Sequence, residues 1–108
     1  MRTVALHTIL KPGRETDYDS LHQTIPHDVA SALRDHGVHE WRIWRDGRHV
    51  FHLVEVEDYQ AMRAALRTLP ANVKWQATIG PLFDVPDDYG GADPAAALLW
   101  SLTGQSDR

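Results

Sequence analysis

The stretch VHEWRIWRDGRHVFHLVEV, residues 38–56, decides the fold of this chain. Two segments rich in β-branched and aromatic residues flank the dipeptide Asp46-Gly47, which suits a two-residue hairpin turn with positive φ. Because side chains alternate between the faces of a strand, Trp41 and Ile43 share one face of the first segment and Trp44 lies on the other. Apolar groups occupy both faces of the second segment too. The stretch therefore predicts a β-hairpin that is covered on both faces.

A strand and a helix are predicted before the hairpin. The run TVALHTIL, residues 3–10, is rich in β-branched and apolar residues and ends at Lys11-Pro12-Gly13, a sequence typical of a turn. Apolar and aromatic residues then recur at helical spacing over residues 18–33, and Gly37 follows where a C-terminal cap belongs. Pro26 lies within this helix, lacks an N–H and clashes with the preceding turn, so the helix should kink or restart just before it.

Two more helices are predicted after the hairpin. Asp58 has the character of an N-cap, and apolar residues continue at helical spacing for about three turns, up to Pro70. The segment 71–79 predicts a further short helix, which Gly80-Pro81 would stop.

The last part of the chain predicts a loop, a strand and a tail. Residues 84–95 are too rich in turn residues for regular structure, and the apolar run AALLWSL, residues 96–102, is most easily fitted as a last strand. Residues 1–102 are thus expected to form a single domain, and residues 103–108 a polar C-terminal tail that frays.

The predicted order is β-α-β-β-α-(α)-β, an α+β arrangement of the ferredoxin-like, split βαβ type. Its antiparallel sheet should carry the helices on one face. The other face, with candidates such as Trp41 and Phe51 or their alternates, needs a cover, and a second copy of the chain is the simplest one. A homodimer of the dimeric α+β barrel type is therefore expected.

Composition excludes several classes of function. The chain has 108 residues, of which 43% are hydrophobic and 24% charged, as in an ordinary soluble domain. Its net charge is −4 and its 11 basic residues are spread along the chain, so nucleic-acid binding is not expected. The N-terminal MRTVALHTILK lacks the apolar core of a signal peptide and the length of a membrane span, which predicts a cytoplasmic protein without membrane attachment. The absence of Cys excludes disulfides and thiolate nucleophiles.

Tyr18 and His22 are the best candidates for chemistry. They are four residues apart in the first predicted helix, which places a phenol and an imidazole on one helical face. A neutral imidazole can give and take a proton near pH 7, and an adjacent phenol can orient a hydroxyl of the substrate without carrying charge. By itself this spacing is also typical of ordinary helix-face neighbours.

No cofactor or metal site is predicted. The sequence lacks the glycine-rich, P-loop, nucleophile-elbow and H-E-x-x-H motifs. None of the seven histidines shows the helical pairing with a carboxylate that is typical of zinc sites. His36, His39 and His49 are expected to be solvated, whereas His7 and His52 lie in strands and either project into a pocket or pack as satisfied histidines.

The chain has an unusual supply of aromatic residues: Trp41, Trp44, Trp75, Trp100, Tyr18 and Tyr59. Most of them are expected in the core. A pocket lined by one or two indoles, with a histidine and a tyrosine converging on it, suits a sugar, whose C–H faces pack on rings while its hydroxyls accept and donate hydrogen bonds.

Four segments carry a resemblance to a known family: KPGRETDYDSLHQTI at 11–25, LRDHGVHEWRIW at 33–44, HVFHLVEVED at 49–58 and VKWQ at 73–76. The chain resembles the L-rhamnose mutarotases, small dimeric ferredoxin-like enzymes. The resemblance implies that Tyr18 and His22 bind the sugar and transfer protons, that Trp41 takes a substrate-binding position usually held by tyrosine, and that Trp75 and Gln76 take the place of two paired tryptophans.

The chain also departs from the family's pattern in the wall of the expected pocket. Where the family usually has I-W-P-E-L, the sequence reads Ile25-Pro26-His27-Asp28-Val29, so one tryptophan is missing and the proline is shifted by one place. Trp41 and Gln76 are further departures, whereas the proton-transfer pair is retained.

The resulting hypothesis is a cofactor-free mutarotase that acts on L-rhamnose or a related deoxysugar such as L-fucose, with His22 and Tyr18 as catalytic residues. Two alternatives stay open. One is a dimeric α+β barrel that binds a small molecule without converting it, and the other is a cofactor-free monooxygenase of the same fold.

Overall fold

Three antiparallel strands form one sheet in the order β1-β3-β2. The structure is a computed structural model and describes residues 1–85, 87, 89 and 94–104. Its strands are β1 (Arg2–Ile9), β2 (Val38–Asp46) and β3 (His49–Val56), and its helices are α1 (Glu15–Leu21), α2 (His27–Asp35), α3 (Tyr59–Leu66) and α4 (Pro70–Ile79), followed by a short 3-10 turn at Gly80–Leu82. The predicted α+β class is confirmed.

The hairpin forms as predicted. Gly47 has φ of +58°, a left-handed conformation that favours glycine, and Asp46 and His49 are the last pair of the β2–β3 ladder. Trp41 pairs with Val54, on the face covered by the helices. The expectation that Trp41 and Phe51 share the uncovered face is therefore wrong, because the register places them on opposite sides of the sheet.

Two buried clusters lie between the sheet and the helices. The first cluster comprises Val4, Leu6, Val38, Val54, Val56, Tyr59, Met62 and Leu66. The second cluster comprises Leu10, Tyr18, Val50, Ile79, Leu82 and Phe83. The opposite side of the sheet, called the open face below, presents the alternate side chains, which in the described ranges are exposed or half-buried: Thr3, Ala5, His7, Ile9, Glu40, Arg42, Trp44, His49, Phe51, Leu53 and Glu55. Folding thus buries one face of the sheet and leaves the other without a cover among the described residues.

The first predicted helix is divided in two. Helix α1 begins at Glu15 and ends at Leu21, and α2 begins at His27, directly after Pro26. Pro26 precedes α2 with ψ of 138°, an extended conformation, and since proline has no N–H to donate it serves at a helix start rather than inside one. The predicted restart is confirmed, and it leaves His22 in the residues that connect the two helices.

Helix α3 is shorter than predicted. The Asp58 carboxylate accepts a hydrogen bond of 3.0 Å from the Ala61 N–H, as expected of an N-cap, but the helix ends at Leu66 and spans 8 residues. Pro70 keeps Leu69 out of the helix, because the residue before a proline avoids the helical conformation and Leu69 has ψ of 124°, and the Asn72 amide of the next helix donates to the Leu66 carbonyl at 3.0 Å. Pro70 itself begins α4, which confirms the further helix predicted for residues 71–79.

The predicted last strand, residues 96–102, is wrong. The Ala96 N–H donates to the Ala5 carbonyl of β1 at 2.9 Å, but the described residues 94–104 form no strand. Leu98 and Leu99 are 83% and 94% exposed, so these two side chains of the predicted strand do not pack on the sheet. The apolar run therefore stays irregular in the single chain. Of the predicted tail, residues 105–108 lie outside the described residues.

The predicted loop at 84–95 contacts helix α3 at the two positions that the structure describes between Val85 and Pro94. The Asp87 carboxylate accepts hydrogen bonds of 2.8 and 3.1 Å from the buried guanidinium of Arg63, whose carbon lies 4.8 Å from the Tyr89 ring centroid. Residues 86, 88 and 90–93 lie outside the described part of the chain. In the described ranges, no helix has the length and apolar content needed to cross a bilayer.

Candidate active site

Tyr18 and His22 stack on each other where α1 ends. Their ring centroids are 3.8 Å apart and the ring planes meet at 22°. Tyr18 is 2% exposed and belongs to the second cluster, where its ring also meets the edge of Phe83 at 5.7 Å. His22 is the C-cap residue directly after Leu21, so helical spacing still brings it over Tyr18 while it begins the irregular connection to α2.

Hydrogen bonding fixes which nitrogen of His22 carries the proton. Its Nδ1 lies 2.9 Å from the Tyr18 carbonyl oxygen, and since a carbonyl only accepts, Nδ1 is the donor. In the neutral ring, Nε2 then keeps its lone pair and is available as a base. Burial lowers the pKa of His22 and outweighs both this hydrogen bond and the charge of Asp19, so the ring is neutral near pH 7.

The Tyr18 hydroxyl is a buried polar group without a partner. Its oxygen is inaccessible to solvent and has no hydrogen-bond partner among the described residues. Burial raises the pKa of Tyr18, and the neighbouring Asp19 carboxylate raises it further, so the phenol stays protonated at all ordinary pH values. A buried donor left in this condition costs free energy unless a ligand satisfies it.

An ion pair connects α1 to the edge strand β2. The Arg45 guanidinium donates to both carboxylate oxygens of Asp19, at 2.7 and 2.6 Å. The hydrogen bond from Arg45 holds the pKa of Asp19 below its usual range. This contact, which the sequence did not reveal because the partners are 26 residues apart, joins the helix that carries Tyr18 to the edge of the sheet.

Trp75 joins the pair from helix α4. Its ring meets the His22 ring edge to face, with centroids 5.3 Å apart. Gln76 lies about 100° further around the same helix and donates from Nε2 to the Asn72 amide oxygen at 3.3 Å. The structure thus brings Tyr18, His22 and Trp75 together, while the Gln76 amide pairs along its own helix.

Trp41 lies on the helix-covered face of β2, beside His52. It packs against the first cluster, and its indole Nε1–H donates to His52 Nδ1 at 3.2 Å. It also lines a cleft of about 190 Å³ together with Ile25, which follows His22 in the connection to α2. His52 in turn is close enough to His22 for the charge of that ring to lower the pKa of His52.

The sequence left open whether His52 projects into a pocket or packs as a histidine with satisfied hydrogen bonds. It projects from the helix-covered face of β3, between the buried Val50 and Val54. The sequence contained one signal for this position, a polar residue where the alternation of β3 predicts burial. Alternation does not predict which groups the imidazole contacts. His7, the other ambiguous histidine, lies on the open face.

Comparisons with known proteins agree with one another. A sequence profile of the L-rhamnose mutarotases matches residues 3–101. The L-rhamnose mutarotase of Opitutus terrae is 32% identical over 79 residues, which cover 71% of this chain and 75% of that protein. The L-rhamnose mutarotase of Paraburkholderia phytofirmans is 30% identical over 91 residues, which cover 82% of this chain and 84% of that protein.

Solved structures show the same fold. The crystal structure of an L-rhamnose mutarotase from Formosa agariphila superposes with a TM-score of 0.75 at 18% identity, covering 94% of this chain and 99% of that chain. A protein from Nitrosomonas europaea described as a candidate antibiotic biosynthesis monooxygenase superposes with a TM-score of 0.58 at 12% identity, covering 80% of this chain and 90% of that chain. The ferredoxin-like assignment is thereby confirmed.

Proposed function

The chain belongs to the L-rhamnose mutarotase family, and on that premise we propose that it is an isomerase that interconverts the α- and β-anomers of L-rhamnose or a related deoxysugar, with His22 as general acid and base. One observation carries the assignment of the site. A buried phenol with no partner among the described residues stacks on a neutral imidazole with a free Nε2, so a hydroxyl-rich ligand would satisfy both groups at once.

The reaction needs two proton transfers and no redox change. Nε2 of His22 takes the proton from the anomeric hydroxyl, the bond between the anomeric carbon and the ring oxygen breaks, and the ring oxygen receives the proton back from the imidazolium. Rotation about the bond between C1 and C2 of the open-chain aldehyde exposes its other face, and the reverse steps close the ring to the other anomer. General acid–base help of this kind contributes about 10²–10⁴-fold to a rate.

Tyr18 and Trp75 hold the sugar for this transfer. In the proposed complex the neutral Tyr18 hydroxyl donates to a sugar oxygen, which requires the side chains that close this oxygen to solvent to move aside, and burial keeps the phenol protonated. The Trp75 ring, steeply inclined to His22, offers an apolar surface to the C–H groups of the sugar. Trp41 and Gln76 complete the wall in this proposal. No cofactor is needed, because the protons start and end on the sugar.

Saturation-transfer NMR on equilibrated anomers tests this function. The full-length protein is added to L-rhamnose, L-fucose and L-mannose in turn, and we expect faster anomer exchange than in buffer for at least one deoxysugar. If binding occurs without accelerated exchange for any sugar, the non-catalytic alternative is favoured. Oxygen consumption with a polyphenol substrate would favour the monooxygenase alternative instead.

We propose in addition that the protein is a homodimer formed through the open face. Ile9, Trp44 and Phe51 are 37%, 53% and 44% exposed there, and isolated chains seldom leave so many large apolar side chains uncovered on one face. Sedimentation equilibrium should give twice the mass of the chain, and Phe51→Asp should shift it toward the monomer. Val73→Asp on α4 is the matched control, since Val73 is exposed but lies away from the open face. A monomeric wild-type protein would contradict the proposal.

A further inference from the structure

A line of polar groups crosses the helix-covered face of the sheet. On this face the side chains of β1 and β3 are buried and apolar except for Arg2, at the exposed start of β1, and two inner positions, Thr8 and His52. Thr8 precedes Leu10, and His52 lies between Val50 and Val54. With the indole N–H of Trp41 on β2, they form what we call the polar seam, which consists of Thr8, His52 and Trp41.

The polar seam separates the two buried clusters. Val54 and Leu6 on one side of the seam belong to the first cluster, and Val50 and Leu10 on the other side belong to the second, which also contains Tyr18. Burying polar groups in an apolar layer costs free energy, and an apolar side chain at either position would fit the pattern of the strand better. Because these polar residues do not improve the packing of the core, we look for their role in the proposed sugar site.

Hydrogen bonds define the state of His52. An indole nitrogen can only donate, so His52 Nδ1, 3.2 Å from the Trp41 Nε1, is the acceptor and carries no proton. The proton of the neutral ring then lies on Nε2, which donates to the Thr8 hydroxyl oxygen at 3.2 Å. Both ring nitrogens are therefore occupied by the protein, and neither is available for proton transfer with a substrate.

Burial keeps the ring in this state. It lowers the pKa of His52 to about 4, and the charges of His22 and His7 lower it further while Asp87 acts in the opposite direction. Near pH 7 the ring is neutral, so the hydrogen bond from Trp41 persists under working conditions. His52 thus differs from His22, whose Nε2 has no hydrogen-bond partner among the described residues.

We propose that His52, oriented by Thr8, is a positioning residue that fixes the Trp41 indole at the wall of the sugar site and occupies its only polar group. Trp41 then presents carbon atoms to the substrate and no free N–H, which suits a C–H face or a methyl group. The inference rests on the proposed function, because it assigns Trp41 to the wall of that site. It concerns binding rather than chemistry, so its signature is a change in KM.

Isosteric substitutions separate the two hydrogen bonds of His52. Asn places an amide oxygen near the position of Nδ1 and can still accept from Trp41, Gln reaches only toward the position of Nε2 and Thr8, and Phe keeps a ring without either bond. His49→Phe is the matched control, since His49 is an exposed histidine of the same strand whose side chain lies on the open face. Each variant is measured for kcat and KM of anomer exchange and for the ¹H–¹⁵N signal of the Trp41 indole, identified by its loss in Trp41→Phe.

We expect His52→Phe and His52→Gln to shift the Trp41 indole signal and to raise KM about 3–10-fold with kcat within twofold, as follows from losing one hydrogen bond. His52→Asn should restore both values. An unmoved indole signal in His52→Phe, a KM unchanged despite a moved signal, or Asn behaving like Gln would each overturn the proposal. If His52→Phe does not fold, the comparison of Asn with Gln still decides.

Failure of the proposed function gives a different result. A wild-type protein that accelerates exchange for no sugar would contradict the mutarotase assignment and, with it, the wall role of Trp41. The indole signal of the same variants would then still show whether His52 holds Trp41, because that reading needs no activity.

Discussion

The two faces of the sheet carry similar side chains in opposite environments. On the helix-covered face, Tyr18 is 2% exposed and every ring nitrogen of His52 has a defined partner. On the open face, His7 stacks on His49 and Phe51 with centroids 5.2 and 5.0 Å apart, and Phe51 is 44% exposed. Residue type alone therefore does not distinguish a reactive group from a packing group.

Burial decides the difference between the faces. Where helices cover the sheet, desolvation fixes the protonation states of His22 and Tyr18 and gives each polar contact a defined geometry. Where no helix covers the sheet, the rings of His7, His49 and Phe51 stack with nearly parallel planes, an arrangement that suits packing against another surface. The covered face is accordingly suited to proton transfer and the open face to association.

The largest effect is expected for removing the proton carrier of the covered face. His22→Ala should reduce the acceleration of anomer exchange by about 10²–10⁴-fold, since no other group of the proposed mechanism has a free imidazole nitrogen. Saturation-transfer NMR measures it, and circular dichroism verifies the fold. His7→Ala, the same substitution on the open face, should stay within about twofold of the wild-type rate, well below that range.

The pH dependence of the rate provides a second test of His22. Because burial lowers the pKa of His22 below its ordinary value of 6.5, the active neutral form persists below pH 6.5. The rate should therefore decline only at lower pH. An unchanged rate of anomer exchange in His22→Ala would contradict the assignment, and so would a wild-type rate that already declines when the pH is lowered from 8 to 7.

The next effect concerns stability on the two faces of β3. The pKa of His52 is about 4 in the folded chain and near 6.5 when unfolded, so between these values the unfolded state binds more protons. The contribution of the neutral His52 ring to the free energy of unfolding is fully present above pH 6.5. It is lost as the pH falls to 4, which lowers the free energy of unfolding by roughly 2–4 kcal/mol. Urea unfolding at several pH values should show this fall.

The His52→Phe variant isolates this term. The free energy of unfolding of this variant should fall less steeply between pH 6.5 and 4 than that of the wild type. Part of the pH dependence should remain, because burial also lowers the pKa of His22. His49→Phe, three residues earlier on the open face, should keep the slope of the wild type. Equal slopes in His52→Phe and wild type would show that the covered face does not hold its histidine neutral.

A smaller effect, of opposite sign in stability and activity, is expected for Tyr18→Phe. The substitution removes a buried hydroxyl that has no partner among the described residues, so the free energy of unfolding should stay equal or rise by about 1 kcal/mol. The same change should lower kcat/KM about tenfold, because the sugar loses one hydrogen bond. Both quantities are measured on the same preparation.

Tyr59→Phe is the matched control for that result. Tyr59 is as buried as Tyr18, but its side chain forms a hydrogen bond with Arg63. Its loss should reduce stability by about 1 kcal/mol and leave kcat/KM within twofold. A destabilised Tyr18→Phe would mean that its hydroxyl has a structural partner after all.

The sequence predicts most of the fold and the adjacency of Tyr18 and His22 for identifiable reasons. The hairpin follows from Asp46-Gly47 and alternation, and the restart after Pro26 follows from the missing N–H, both of which are local effects. The predicted last strand at 96–102 failed because a strand depends on a neighbour, and apolar composition cannot show whether that neighbour lies in the same chain.

Contacts between distant segments could not be predicted. The partners of His52 lie 44 and 11 residues away in the chain, and no spacing rule connects them. The protonation state of His22 depends on burial that arises only when α4 brings Trp75 over it. The resemblance assigns Trp41 and Gln76 to positions in the family's sequence pattern, but it does not predict the contacts of their side chains. In the structure the Gln76 amide donates to a partner on its own helix.

The smallest effect tests how the covered face holds its catalytic helix. The Asp19–Arg45 ion pair is bidentate, but its side chains are 48% and 28% exposed, so a double-mutant cycle with Asp19→Asn and Arg45→Gln should give a coupling below about 1 kcal/mol that salt reduces. The rate should change less than threefold, because Tyr18 is already fixed in the second cluster by burial. A coupling that survives high salt, or a rate loss as large as that of Tyr18→Phe, would show that charge rather than packing positions the helix.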